Sequence, residues 1–294
     1  MTTMKINPLH PSFAACVPDI DLSMVTASAG LQEILQAFEK YGLLVFPSQS
    51  ITSEEQLRFA KLFGELESFP EATMQKDSEK VYNVSNVDAS GNIPTVDDIQ
   101  ILNLKGTQLW HTDSSYRHIP ALASFLMALK LPDSPESGDT EFADMFAAYD
   151  SLPDELRTRL KGRHMVHNYE YERIYVEPRL PPIPASEKAL VPPVTHPVLR
   201  YHPDRDRHSV YITANVGGEI GGLNQDEGRE LHKETINFVT QPRFVYRHQW
   251  SLGDLVMWDN RRLLHRVLPY SIETERRIMR RTSVSDVAPP QIKL

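Results

Sequence analysis

The chain has 294 residues, enough to bury a substantial core, and its composition of 40% hydrophobic and 24% charged residues is that of a globular protein, not a disordered one. A formal net charge of −8, from 31 basic and 39 acidic residues, disfavours nonspecific nucleic-acid binding, which needs an electropositive face. Apolar runs such as Ala123 to Leu129 are too short to span a bilayer, no apolar leader opens the chain, and the one cysteine, Cys16, suits a reducing compartment; the expectation is a soluble, cytoplasmic protein without a membrane partner.

Helical signals come first. Leu31, Ile34, Leu35 and Phe38 recur at helical spacing, and Gly42 follows as a C-terminal stop. Gly42 to Phe46 reads as a short buried strand. Thr52 and Glu55 form a capping-box pattern ahead of Leu57, Phe59, Ala60 and Phe63, with Gly64 closing that helix. Residues 68–107 read as loop with one strand near Val81 to Val84. A strand resumes at Ala121 to Leu131, and a helix is expected from Ser151 and Pro153 to Leu160. Residues 176–197 carry seven of the 22 prolines and show little periodicity, the pattern of a lid or mobile insert. Beyond them come short strands at 198–201, 209–213, 244–250, 255–258 and 277–282, interrupted by one helix at Glu227 to Val239. No linker divides the chain, so a single domain over 1–294 is expected. Short strands with turns between them point to a sandwich or barrel.

Three segments carry chemistry. In Leu109-Trp-His111-Thr-Asp113, a strand would aim His111 and Asp113 at one point, because residues i and i+2 share a face. With a distant histidine they would form a 2-His-1-carboxylate triad, which leaves open positions on Fe(II). The spacing recurs at His202-Pro-Asp204, read as a surface turn, and His232-Lys-Glu234 lies in a helical pattern where i and i+2 diverge. His265 follows the apolar pair Leu263-Leu264; a lone histidine there is ordinarily a satisfied core residue. Finally, a strand over 276–281 would place Arg277, Met279 and Arg281 on one face. Two inward guanidinium groups would be costly unless they meet anions, whereas a solvated edge strand would need no such partner.

Jointly these segments resemble the taurine and phenoxyacetate dioxygenase family, TauD/TfdA. Asn7-Pro-Leu-His-Pro, Gly42 to Phe46, Phe59 to Gly64, Trp110 to Asp113, Gly138-Asp-Thr-Glu-Phe142, Gly253 to Asn260, His265 and Arg277 to Arg281 occur in the family's order, closer to the phenoxyacetate branch. The resemblance implies a mainly β fold, a double-stranded β-helix (jelly-roll) barrel with flanking helices. It also implies His111, Asp113 and His265 as ligands of Fe(II), and Thr140 and Arg277 as holders of the distal carboxylate of the co-substrate 2-oxoglutarate. Arg281 is implied near the co-substrate and the acidic group of a small, anionic substrate that is oxidised with dioxygen. Trp110 and Trp258 are expected to pack around the site, and Tyr82, Asn86 and Tyr116 are candidates for the pocket wall. A homo-oligomer is the default assembly. The rivals are a metal-dependent hydrolase or isomerase on a similar barrel and a non-catalytic barrel scaffold.

Overall fold

Alternating apolar side chains build two facing sheets. The computed structural model describes residues 4–27, 30–68, 76–78, 80–134 and 137–290. The larger sheet has eight strands in the order Asn7–Pro8, Ala15–Cys16, Leu43–Phe46, Leu255–Asp259, Ala121–Lys130, Ile278–Ser285, Val81–Ser85 and Lys76–Ser78. The smaller has Thr140–Asp144 at its centre, between Val245–His248 and Leu263–Val267. Among the described residues these sheets are separate ladders; an isolated bridge pairs His111 with His265 at the edge of the smaller one.

The central strands of the larger sheet sort their residues between two cores, as a period of two requires. Leu43, Val45, Leu126, Ala128, Val256, Trp258 and Met279 face inward, where they meet Phe142 and Leu263 of the smaller sheet. Leu44, Phe46, Phe125, Met127, Leu255 and Met257 face outward, onto Ile34, Ala37 and Phe38 of the helix Leu31–Tyr41 and Phe59 and Ala60 of the helix Ser53–Lys61. A third core lies outside the smaller sheet, where Ala143 and Leu264 pack with Leu231 and Val239 of the helix Gln225–Val239. Full burial of each large apolar side chain contributes about 1.5–3 kcal/mol, so these layers hold the two sheets in register.

The expected helix ends are present. Thr52 Oγ1 accepts from the Glu55 N–H at 3.2 Å, and Glu55 Oε2 accepts from the Thr52 N–H at 2.8 Å. Gly42 has φ 69°, and a Cβ there would lie 2.8 Å from Arg262 Cδ. Two expectations fail. Part of the expected 68–107 loop is a helix, Ile99–Gly106, capped by Asp98, whose carboxylate accepts from the Gln100 N–H at 2.8 Å. Its buried Ile101, Leu102 and Leu104 are crowded together and give no 3.6-residue stripe to read. The proline-rich 176–197 stretch is also not wholly irregular: it contains the helix Ala185–Leu190 and the strand Val194–Pro197, which pairs with His164–His167. Ile183 and Val191 anchor it against Tyr116 and Val216. No helix among the described residues is long and apolar enough to cross a membrane.

Candidate metal and co-substrate site

His111 and His265 face each other through a reciprocal backbone pair: the His111 N–H donates to the His265 carbonyl at 3.0 Å, and the return bond is 2.8 Å. Their rings stand 4.1 Å apart, with Trp258 4.8 Å and Phe142 6.0 Å from the His265 ring. Asp113 completes a buried cluster whose three ligand atoms all lie within 4.8 Å of one another. Strand geometry is not what brings Asp113 in. His111 ends its bridge, and the chain turns at Asp113 and Ser114, with Ser114 at φ 53°.

The turn is held by Asn260, whose carbonyl accepts from Thr112 Oγ1 at 2.7 Å. Asn260 Oδ1 accepts from the Asp113 N–H at 3.1 Å and from Trp258 Nε1 at 3.0 Å, while its Nδ2 donates to Ser124 Oγ at 2.9 Å. Ser124 Oγ in turn donates to Asp113 Oδ2 at 2.6 Å. Asn260 and Ser124 went unrecognised in the sequence. The signal for Ser124 is a lone hydroxyl in the apolar strand Ala121–Lys130; Asn260 sits in the quoted Trp258-Asp-Asn260 turn, but nothing local shows where its amide points.

Electrostatics prepares these atoms for a cation. The carbonyl of Leu109 lies 2.7 Å from His111 Nδ1 and can only accept, so Nδ1 carries the proton and Nε2 keeps its lone pair. Burial lowers the pKa of both imidazoles, and in His265 the His111 ring adds to the effect; both are neutral. For Asp113 burial acts the other way, but Arg281, the two histidines and the Ser124 bond outweigh it and hold the carboxyl at about 2. Two neutral nitrogens and one carboxylate oxygen are the donor set of a facial Fe(II) site.

Arg277 lies on the inward side with Met279 and Arg281. It is fully buried, its Nε donates to the Gly138 carbonyl at 3.0 Å, and its Nη2 has no partner. None of the ion pairs among the described residues involves it, and burial lowers its pKa to about 10. Gly138 is required for this approach: at φ 70°, a Cβ on it would come within 2.9 Å of Arg277 Cδ. Two residues on, the buried Thr140 accepts from Trp250 Nε1 at 3.0 Å. A buried cation with an open donor fits the far carboxylate of 2-oxoglutarate, since Arg binds carboxylates through a planar fork. Arg281 is placed differently. Its Nη1 donates to Asp113 Oδ1 at 2.6 Å, and its guanidinium sits 4.9 Å from the Tyr82 ring centroid. The solvated-edge alternative for this strand is excluded: it lies between Val81–Ser85 and Ala121–Lys130, and Arg280 on its outer face is buried against Gln56.

A cavity of about 110 Å³ opens onto His111, Asp113 and Arg281, and Tyr82 and Tyr116 line it as expected. Asn86 does not line it. Its Oδ1 accepts from the Arg277 N–H at 2.8 Å and its Nδ2 donates to the Ile272 and Glu275 carbonyls, so it clamps the chain that presents Arg277. Trp110 is buried in the outer core, under the Arg266 guanidinium. The His202-Pro-Asp204 segment is a turn as expected, but His202 itself is buried, 5.5 Å from the Phe146 ring and outside the metal cluster.

Residues 5–283 match the family described as "Taurine catabolism dioxygenase TauD, TfdA family", and the chain belongs to that family. It is 38% identical over 284 residues to an alpha-ketoglutarate-dependent 2,4-dichlorophenoxyacetate dioxygenase of Cupriavidus pinatubonensis, covering 95% of this chain and 97% of the relative. An (S)-phenoxypropionate/alpha-ketoglutarate-dioxygenase of Sphingobium herbicidovorans is 34% identical, with 93% and 92% covered. The crystal structure of AAD-2 in complex with Mn(II) and N-oxalylglycine superposes with a TM-score of 0.86 at 36% identity, covering 98% of this chain and 100% of that one. These relatives place the chain in the phenoxyacetate branch and define a dioxygenase; the family implies Fe(II) and 2-oxoglutarate as its cofactor and co-substrate.

Proposed function

We propose that the chain is a single-domain oxygenase on a jelly-roll barrel that uses Fe(II), 2-oxoglutarate and dioxygen to oxidise a C–H bond of a small anionic organic substrate. Convergence of His111, Asp113 and His265 carries this reading; the buried, unpaired Arg277 supports the co-substrate assignment. Relatives named for phenoxyacetates, phenoxypropionate and sulfate esters favour an anionic substrate.

In this reading His111, Asp113 and His265 would hold the iron, beside which the co-substrate and dioxygen would bind. Bound iron and 2-oxoglutarate supply the oxidant, with release of succinate and carbon dioxide. The protein supplies placement. Arg277 and Thr140 hold the far carboxylate of 2-oxoglutarate, and the Ser124–Asn260 network keeps Asp113 aimed at the metal position. Arg281 remains on the cavity wall to meet the acidic group of the substrate, while Tyr82 and Tyr116 limit water. The 176–197 stretch serves as a cover, through its contacts with Tyr116 and Val216. Hydroxylation is the basic outcome; desaturation or cyclisation follows from a different placement of the same C–H bond.

The test is anaerobic. Fe(II) and then 2-oxoglutarate are added to metal-free protein, and the visible charge-transfer band of the chelate is recorded. The band is expected in the wild type and is lost in His111→Ala. A folded, iron-loaded protein that gives no band would refute the assignment.

A further inference from the structure

Part of the cavity wall is acidic. Glu172 lines the same space as Arg281, His111 and Asp113, and it begins a short π-turn in which the Glu177 N–H donates to the Glu172 carbonyl at 2.7 Å, an i to i+5 bond. Such turns are rare and recur at functional sites. The carboxylate rests against Gly106, where any added Cβ would overlap it, and Glu172 Oε1 is buried with no hydrogen-bond partner. No cation among the described residues is paired with it: Arg173, on the same wall, donates through Nε to the Pro181 carbonyl, lies over Tyr169 and keeps Nη2 without a partner, while Lys105 and Arg179 pair with Glu177. Tyr82 lies within the field of both Arg281 and Glu172. The cavity wall therefore carries the cations Arg281 and Arg173 and, at Glu172, a carboxyl with one oxygen that has no donor.

A buried acceptor left without a donor costs free energy. We infer, building on the function proposed above, that Glu172 is a specificity-determining residue. It selects substrates that carry, besides the acidic group facing Arg281, a hydrogen-bond donor (a hydroxyl, amide N–H or ammonium) on the rest of the molecule. Plain aryloxyacetates, whose ring would seal the carboxylate from water, are disfavoured. The chain thus departs in substrate class from relatives named for 2,4-dichlorophenoxyacetate.

The experiment, run at about pH 8 so that Glu172 is ionised, titrates phenoxyacetate and 4-hydroxyphenoxyacetate into the anaerobic protein–Fe(II)–2-oxoglutarate complex and follows the shift of the chelate band. Glu172→Leu is expected to bind phenoxyacetate about tenfold or more tightly than the wild type does, and to lose the wild-type preference for the hydroxylated acid. Glu172→Gln, which keeps an acceptor of the same shape, retains that preference. A Glu172→Leu protein with no gain for phenoxyacetate relative to its hydroxylated counterpart, or with no detectable binding of either, overturns the role of Glu172 while leaving the reaction class intact. A wild type without the chelate band strikes the reaction class itself, and this inference with it.

Discussion

The metal end and the outer wall of the cavity are held in different ways. At the metal end the atoms that aim Asp113 have assigned partners, although His265 Nδ1 has none: Asp113 accepts from Ser124 and Arg281, and Asn260 ties the Asp113 backbone to Trp258 and Ser124. At the outer wall Glu172 has an open oxygen and sits in a π-turn, next to the proline-rich stretch. A satisfied network fixes geometry before anything binds, which suits chemistry that must be the same for every substrate. An unsatisfied group is a demand on the ligand, which suits selection.

Arg277 lies between these cases, and it offers the sharpest way to break the contrast. It is fully buried yet has an open donor, so its missing partner must be strongly bound. Arg277→Leu should weaken 2-oxoglutarate binding by about 30- to 1,000-fold, the range expected when one member of a buried charge pair is removed. Iron binding to the same variant should change little. Calorimetry of both ligands checks this; an equal loss of the two would show that Arg277 supports the fold of the site and not the co-substrate.

The same contrast explains what could be read from sequence. His111, Asp113 and His265 were legible because short motifs carry them and the order of motifs along the chain matched a family. The inward face of Arg277 and Arg281 was legible because a strand has a period of two, and that face is where the structure puts them. The turn at Asp113 was not: two residues of spacing look alike in a strand and in a turn closed by an asparagine 147 residues away. The helix Ile99–Gly106 was hidden by its lack of an apolar stripe, and it matters, because its last residue receives the Glu172 carboxylate. Glu172 itself carries no local signal. It is one acidic residue among 39 acidic positions, and only the tertiary fold turns it inward.

If the metal end is preorganised by Asn260, removing that side chain should be felt in metal affinity although it touches no ligand atom of the histidines. Asn260→Ala leaves the Asp113 N–H and Trp258 Nε1 without their shared acceptor. Iron affinity should fall by about 10- to 100-fold, the usual effect of losing a group that orients a metal ligand. Competition against a chelator of known affinity measures it, and circular dichroism at the working temperature separates it from unfolding. Wild-type affinity in the folded variant would mean that the Arg281 and Ser124 contacts alone suffice to aim Asp113.

The smallest effect tests the outer wall through pH. Burial raises the Glu172 carboxyl from its ordinary value of 4.5 to about 7, against the opposing influence of Arg173 and the Gly106 backbone. Between those values the folded protein holds a proton on Glu172 that the unfolded chain has released, so stability contributed by this group is full below pH 4.5 and is lost as pH rises through 7. Glu172→Gln cannot titrate. The melting temperature of the variant relative to wild type should therefore rise between pH 4.5 and 7 and level off above, in protein free of iron and 2-oxoglutarate. A difference that stays flat across this window would place the Glu172 carboxylate in contact with water, and an acceptor already hydrated would no longer require a donor from the substrate.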